Sequence, residues 1–154
     1  MSHPHTFEHT SVLPASLEKI WAFHEQPNAF GILTPPPIFV QVHRREMVSL
    51  RQGEIEFTLW FAFFPIRWLA LHEPGSTPTS FVDRMLRGPL KTWRHEHRLE
   101  ATPNGTRLTD QITIEHHDGW QGVLTRLMFD GLALRMLFVY RHLQTRLRTF
   151  SPSP

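Results

Sequence analysis

A tight turn at Thr102-Pro103-Asn104-Gly105 constrains the fold more than any other stretch of the sequence. Proline presets φ in the turn, and Asn-Gly tolerates the positive φ that short hairpin turns require. Segments of alternating apolar and polar residues lie on both sides, at residues 90–100 and 106–116. Alternation with a period of two is typical of half-buried strands. The turn therefore predicts an antiparallel β-hairpin.

Pairing Thr102 with Gly105 sets the register of this hairpin. Because side chains alternate along a strand, four cross-strand pairs share one face. These pairs are Trp93 with Ile114, His95 with Ile112, His97 with Asp110, and Leu99 with Leu108. The face is mainly apolar and is predicted to point to the core or to a cavity, whereas charged residues such as Arg94, Glu96 and Arg98 point to water.

The rest of the chain predicts an α+β order of elements. A strand at residues 6–13 precedes a helix capped by Ser16 and a second short helix at residues 26–33 with Pro27 in its first turn. Further strands are predicted at residues 38–42, 54–59, 64–72 and 80–86. After the hairpin, Asp118 and Gln121 resemble a capping box that opens one long helix to about Thr149.

The long helix carries two apolar stripes on roughly opposite sides. The first contains Trp120, Leu124, Leu127, Leu134 and Phe138, and the second contains Met128, Leu132, Met136, Val139 and Leu143. One stripe covers the sheet, so the other is exposed in a monomer. Exposed apolar stripes mark interfaces, which predicts a homodimer through Leu132, Met136 and Val139 or, more weakly, a membrane contact. If the helical phase drifts, loops bury both stripes instead.

Composition narrows the class of protein. The 154 residues suit one domain, residues 1–150, followed by a disordered tail at residues 151–154. Since the chain has no cysteine, disulfides, thiolate zinc sites and a cysteine nucleophile are excluded. A net charge of +2 without a basic, aromatic-rich face argues against nucleic-acid binding. No apolar run is long enough to span a bilayer and no signal-peptide core is present, so we expect a cytoplasmic protein.

Several short motifs together resemble the START-like helix-grip superfamily, also called SRPBCC, which includes polyketide cyclase/dehydrase-type proteins. They are Leu33-Thr-Pro-Pro36, Phe81-Val-Asp83, Gly88-Pro89, Trp93-Arg-His95-Glu-His97, Gly105-Thr106, Asp110 and Met136-Leu-Phe138-Val-Tyr140-Arg141. The likeness runs from about Phe7 to Leu147 and is closest to small bacterial single-domain members. It implies a curved antiparallel sheet of about seven strands around a long C-terminal helix, with two short helices after strand one. Family members bind lipids, polyketides or other hydrophobic molecules in a cavity between sheet and helix. Some are enzymes and many are carriers.

Three interpretations of His95, His97 and Asp110 stay open at this point. His97 and Asp110 form a buried structural pair, or they present a polar handle to a ligand, or they act in acid–base catalysis or metal binding. A zinc site needs a third protein ligand with suitable geometry, and the sequence places none beside the pair. We therefore expect no metal and no cofactor. The other histidine groups, His3-x-His5 and His116-His117, are expected to be solvated.

Asp83 is the next candidate, because its strand points it either inward, toward a partner such as His95, or to the solvated rim. The predicted function is binding or carrying a small hydrophobic, lipid- or polyketide-like molecule, and a non-enzymatic role is favoured. One alternative is a cyclase or dehydratase that uses His97 and Asp110, and another is a protein-interaction module acting through the long helix. The expected ligand-binding residues are Phe57, Asp83, Trp93, His95, His97, Asp110, Ile112 and Phe138.

Overall fold

The predicted hairpin lies inside the sheet of the computed structural model, which describes residues 2–150. Its strands are β6 (Thr92–Thr102) and β7 (Gly105–Glu115), and the predicted register is confirmed, with Thr102 opposite Gly105 and His97 opposite Asp110. The other strands are β1 (His5–Leu13), β2 (Ile38–Ser49), β3 (Gln52–Phe61), β4 (Phe64–Pro74) and β5 (Ser80–Arg87). The predicted tail, residues 151–154, lies outside the described residues.

All seven strands form one antiparallel sheet in the order β1-β7-β6-β5-β4-β3-β2. The chain passes from the edge strand β1 to the opposite edge β2 through two short helices, α1 (Leu17–Glu25) and α2 (Ala29–Ile32). An antiparallel sheet needs cover on one face. Here the C-terminal helices supply it, and the predicted α+β helix-grip class is confirmed.

The short helices begin close to the predicted positions. The side chain of Ser16 caps α1 by accepting a hydrogen bond from the Lys19 backbone N–H at 3.3 Å. The second helix is shorter than predicted, because it starts only after Asn28. Pro27 therefore precedes the helix instead of lying in its first turn.

The predicted long C-terminal helix is confirmed, but its predicted start near Asp118 is wrong, because the helix is broken at Asp130. The chain forms α3 (Trp120–Phe129) and α4 (Gly131–Thr149), separated by Asp130 in an extended conformation. Gly131 has φ +54°, a left-handed conformation that glycine adopts without a steric penalty, and Asp130 Oδ1 accepts a hydrogen bond from its N–H at 2.8 Å. The cap predicted at Asp118 is also wrong, since Gly119 occupies the N-cap of α3 without a side-chain hydrogen bond.

This break explains the fate of the two apolar stripes. Leu134 and Phe138 of α4 are fully buried, but Trp120 and Leu127 of α3 are exposed. The first stripe is therefore buried only after the break at Asp130. In the second stripe Met128 packs partly against the core. Four residues farther along α4 are exposed, as predicted: Leu132, Met136, Val139 and Leu143. No helix within residues 2–150 combines the length and apolar character needed to cross a bilayer.

Candidate functional site

Asp110 on β7 is buried and lies beside three histidine rings. Its Oδ1 accepts a hydrogen bond from Nε2 of His95 at 2.7 Å, and its Oδ2 accepts one from Nε2 of His142 at 2.6 Å. Nδ1 of His97 is 2.8 Å from the same Oδ1. It is not aligned for a hydrogen bond and has no partner among residues 2–150. The predicted pairing of His97 with Asp110 thus holds in register, while the hydrogen bonds of Asp110 go to His95 and His142.

Asp83 on β5 points inward, which selects one of the two predicted orientations. It lies directly opposite His95 in the β5–β6 register. Its Oδ2 is 3.1 Å from Nδ1 of His95 and 3.1 Å from Nε2 of His97, and the second contact is an aligned hydrogen bond. Each of these two rings therefore lies between two carboxylates, with the ring centroids only 3.7 Å apart. We call Asp83, His95, His97, Asp110 and His142 the cavity cluster.

Opposite charges dominate the electrostatics of the cavity cluster. Burial by itself would raise the pKa of Asp83, but the charges and hydrogen bonds of His95 and His97 outweigh it and hold that pKa well below its ordinary value. Burial opposes ionisation of Asp110 as well, and His97, His142 and His95 keep its pKa well below the usual range. For His95, burial lowers the pKa, yet Asp83 and Asp110 raise it to a net value above normal.

A serine extends the hydrogen-bonded chain behind Asp110. Nδ1 of His142 is in short hydrogen-bond contact with Oγ of Ser11 on β1, while its Nε2 donates to Asp110. Serine, histidine and aspartate in this order are the residue types of a hydrolytic triad. Ser11, however, is not among the residues that line the cavity. We therefore infer that the hydrogen bonds from Ser11 through His142 hold Asp110 in position.

The cavity cluster borders a cavity of about 150 Å³ between the sheet and the helices. Its walls are mainly aromatic, formed by Phe30, Phe57, Trp68, Phe81, Trp93 and Phe129. The polar lining residues include Asp83, His95, His97 and Arg141. The cavity is therefore apolar over most of its surface and carries both signs of charge in one region.

Five of the eight predicted ligand-binding residues line this cavity: Phe57, Asp83, Trp93, His95 and His97. The other three do not. Asp110, Ile112 and Phe138 are buried and lie behind the lining residues, where they support the wall. The period of two placed Asp110 and Ile112 on the inner face of the sheet, and the helical period placed Phe138 on the face toward it. Neither period separates residues that face a cavity from residues packed behind it.

Arg141 lines the cavity but was not among the predicted ligand-binding residues, since the sequence placed it only in the motif from Met136 to Arg141. The guanidinium carbon lies 5.3 Å from the ring centroid of Phe138 and 6.0 Å from that of Phe30, within the range of cation–π attraction. Nε donates a hydrogen bond to the Leu33 carbonyl at 3.2 Å. Helical spacing offered a signal, because Arg141 is three residues after Phe138 and seven after Leu134, and both of these are buried.

Two further histidines line the cavity, His24 and His72. Each holds a proton on Nδ1, because that atom donates to a backbone carbonyl, Ile20 for His24 at 2.8 Å and Leu50 for His72 at 2.9 Å. Burial, with a contribution from nearby His97, lowers the pKa of His24 to about 4. His24 is therefore neutral at physiological pH.

A second histidine–aspartate group lies at the break between α3 and α4. Asp130 contacts Nε2 of His5 at 2.9 Å and Nε2 of His116 at 2.8 Å. His116 is buried, and its Nδ1 is hydrogen-bonded to the Thr125 hydroxyl at 2.8 Å. The prediction that His116 is solvated is wrong, because α3 folds over it. We call His5, His116 and Asp130 the joint cluster.

Comparison with known proteins gives matches in structure alone. No protein-family model matches the sequence, and no curated protein matches it by sequence. An aromatase/cyclase from a Streptomyces species aligns with a TM-score of 0.65 at 14% identity, over 96% of this chain and 92% of that one. A major latex-like protein from Panax ginseng aligns with a TM-score of 0.69 at 9% identity, over 96% and 99%.

A third similar structure is a point mutant of norcoclaurine synthase from Thalictrum flavum, in complex with a transition-state analogue. It aligns with a TM-score of 0.65 at 11% identity, over 96% of this chain and 98% of that one. Identities this low show a shared fold. The chain has the START-like helix-grip fold that its motifs predicted, and the function has to be argued from its own residues.

Proposed function

We propose that the chain binds a small, mostly apolar molecule that carries an acidic or hydroxyl group. The observation that supports this most is the mixed lining of the cavity, in which aromatic walls surround a few polar side chains, Asp83, His97 and Arg141 among them. Small-molecule sites are typically apolar with a few polar groups that orient the ligand. The structures with this fold include an aromatase/cyclase and a norcoclaurine synthase, the latter in complex with a transition-state analogue, so the fold is able to hold a small molecule.

The size of the cavity favours a ligand of about one aromatic ring or a short acyl chain. Its volume is about 150 Å³. Engineered apolar cavities of about 150 Å³ hold benzene, whereas sites for drug-sized ligands measure about 300–1,000 Å³. The proposed ligand is therefore at the small end of the lipid- or polyketide-like molecules predicted from the resemblance.

Arg141 is the residue best placed to select the acidic group. Its guanidinium is held over Phe30 and Phe138 and is anchored by the Leu33 carbonyl, so little side-chain freedom remains to be lost on binding. Guanidinium groups bind carboxylates through paired N–H donors. His97 has both ring nitrogens against carboxylates, so Arg141 is the donor that the acidic group of the ligand meets.

A fluorescence titration tests this proposal, because Trp68 and Trp93 line the cavity and report its occupation. Benzoate and benzyl alcohol are the probes. We expect saturable binding of both, with a preference for benzoate that Arg141→Met reduces at least tenfold, about 1.4 kcal/mol. Native mass spectrometry of the purified protein then identifies the bound natural ligand.

The control variants lie on the same helix. Leu137 on α4 lines the cavity and Leu132 on α4 is exposed, so Leu137→Phe should block both probes and Leu132→Phe should block neither. If neither probe binds, or if Leu137→Phe binds them as well as the parent protein, the cavity is not the binding site.

Acid–base catalysis is the second candidate, and the observation that favours it is the place of His97. One ring nitrogen lies on Asp83, the other faces Asp110, and the ring is part of the cavity wall. An imidazole oriented by a carboxylate is a suitable general acid or base when its other nitrogen reaches the substrate, so this role requires a substrate that displaces one of the two carboxylates. With a turned-over substrate in hand, His97→Gln should lower kcat by at least about a hundredfold, and an unchanged kcat would contradict the role.

The homodimer expected through Leu132, Met136 and Val139 stays a prediction. These side chains are 71%, 63% and 51% exposed on the outer face of α4. Light scattering should give the mass of two chains for the parent protein and of one chain for Leu132→Glu. A parent protein with the mass of one chain would remove the dimer.

A further inference from the structure

We propose that Asp83, His95 and His97 bind a divalent transition-metal ion at the wall of the cavity. One ligand atom from each of the three residues lies within 4.8 Å of the other two. Sequence reasoning set a metal aside because His95 and His97 lacked a third protein ligand. Asp83, from the neighbouring strand, supplies the missing ligand.

The distances suit a metal ion. Oδ2 of Asp83 is 3.1 Å from Nδ1 of His95 and 3.1 Å from Nε2 of His97. With metal–ligand bonds of about 2.0–2.2 Å, neighbouring ligand atoms are about 3.3 Å apart in tetrahedral and about 2.9 Å apart in octahedral geometry. Both separations from Asp83 fall between these values, and the ligand nitrogens of the two histidines lie within 4.8 Å of each other, a distance that an ion can bridge.

Asp110 supports both histidine ligands from the opposite side. Its Oδ1 lies 2.7 Å from Nε2 of His95 and 2.8 Å from Nδ1 of His97, the ring nitrogens that do not face Asp83. Histidines that bind metals usually donate their other N–H to a carboxylate, which sets the tautomer and the ring orientation. His142 in turn holds Asp110 through a hydrogen bond of 2.6 Å. For His97 the contact with Asp110 has the length of a hydrogen bond but not its alignment, so the carboxylate support is complete only at His95.

The chemistry of the donors narrows the kind of ion. Two imidazole nitrogens and one carboxylate oxygen suit zinc, iron(II) and related first-row ions, and are less suited to magnesium or calcium, which prefer oxygen ligands. All three residues line the cavity, so further coordination positions face it. There the ion would be able to bind the acidic group of the proposed ligand. That last link rests on the proposed function, whereas metal binding itself does not.

The joint cluster is a matched comparison within the same chain. His5, His116 and Asp130 also bring two imidazoles and one carboxylate within 4.8 Å. There Asp130 Oδ1 accepts the N–H of Gly131 at the start of α4, and the second nitrogen of His116 meets a hydroxyl instead of a carboxylate. The carboxylate support that Asp110 gives in the cavity is missing at His116. We therefore use this cluster as the control.

Titration of the chelator-treated full chain tests the proposal. Zinc binding is measured by calorimetry and cobalt(II) binding by its visible absorption, which reports nitrogen and oxygen ligation. We expect one tight site per chain that Asp83→Asn and His97→Gln each weaken at least a hundredfold. His5→Ala and Asp130→Asn should leave that site unchanged, and His142→Gln should weaken it by about tenfold through Asp110.

Three results would overturn the proposal: no zinc or cobalt binding by the parent chain, binding that Asp83→Asn and His97→Gln leave intact, or binding lost only in the joint-cluster variants. If a variant does not fold, the nitrogen resonances of the histidine rings in the parent chain test the proposal instead. Zinc should shift the His95 and His97 nitrogen resonances and spare those of His5 and His116, and the reverse pattern would contradict the site. Benzoate titration with chelator present tests the ligand proposal separately.

Discussion

The cavity cluster and the joint cluster contain the same residue types but are built differently. In the cavity cluster, His95 and His97 each lie between Asp83 and Asp110, and the group faces an apolar cavity. In the joint cluster, Asp130 caps α4 through the Gly131 N–H. The same carboxylate contacts His5 on β1 and His116, the residue after β7. The same residue types therefore border a cavity in one cluster and hold secondary-structure elements together in the other.

The largest expected effect is on stability, at Asp110. Asp110→Asn removes a buried carboxylate that lies against His95, His97 and His142. Breaking a buried ion pair typically costs about 3–5 kcal/mol, because the remaining charged partner, here His95 with its raised pKa, stays buried without compensation. Urea denaturation at neutral pH should show a loss of this size. Asp118→Asn, at an exposed carboxylate, is the control and should change the free energy of unfolding by less than about 0.5 kcal/mol.

The corresponding change in the joint cluster is His116→Gln. This ring is buried and bonded at both nitrogens, to Thr125 and to Asp130. Since glutamine cannot reach both partners in the same geometry, we expect a loss of about 2 kcal/mol in the free energy of unfolding. Benzoate affinity should not change, because His116 does not line the cavity. A variant that loses benzoate binding while remaining stable would reverse the roles assigned to the two clusters.

The cavity cluster could be predicted in part, because it lies on a hairpin with a readable turn. The turn at Asn104-Gly105 and the alternating strands set the register and placed His97 opposite Asp110, as the structure has it. The position of Asp83 stayed open, since the Gly88-Pro89 segment between its strand and the hairpin does not set the register of β5 with β6. His142 was missed because its contact with Asp110 depends on how α4 is rotated about its axis against the sheet. Side-chain packing decides that rotation.

The joint cluster could not be predicted, because its members come from opposite ends of the chain. His5 and His116 meet only when β1 pairs with β7. The helix break that places Asp130 between them did leave a signal in the sequence. Asp-Gly at residues 130–131 is typical of a helix interruption, and the apolar periodicity on both sides concealed it.

A smaller effect is expected for ligand binding at His97. His97→Gln should weaken benzoate binding about tenfold, or 1.4 kcal/mol. Glutamine loses the contacts with Asp83 and Asp110 that hold this side chain in place on the cavity wall. The measurement is made with chelator present, so that it reports the side chain itself and not an ion. His5→Gln, in the joint cluster, is the matched control. Equal affinities for both variants would mean that the cavity cluster does not contact the ligand.

The smallest effect is the pH-dependent contribution of Asp130. Partial burial opposes ionisation of this carboxyl group, but hydrogen bonds from His5, His116 and the Gly131 N–H lower its pKa below the ordinary value of 3.8. A depressed pKa in the folded state means that the ionised carboxylate contributes stability above pH 3.8, and that this contribution is lost as the pH falls through the folded-state pKa.

Asp130→Asn should therefore cost about 1 kcal/mol at neutral pH, because asparagine can still cap the helix but loses the negative charge that His5 and His116 contact. The difference from the parent protein should shrink as the pH falls below 3.8, because the protonated aspartic acid resembles the amide. Urea denaturation of both proteins between neutral pH and pH 3 measures this difference. A difference that stays constant with pH would mean that Asp130 acts through shape alone, and the electrostatic contrast between the two clusters would then belong to the cavity cluster only.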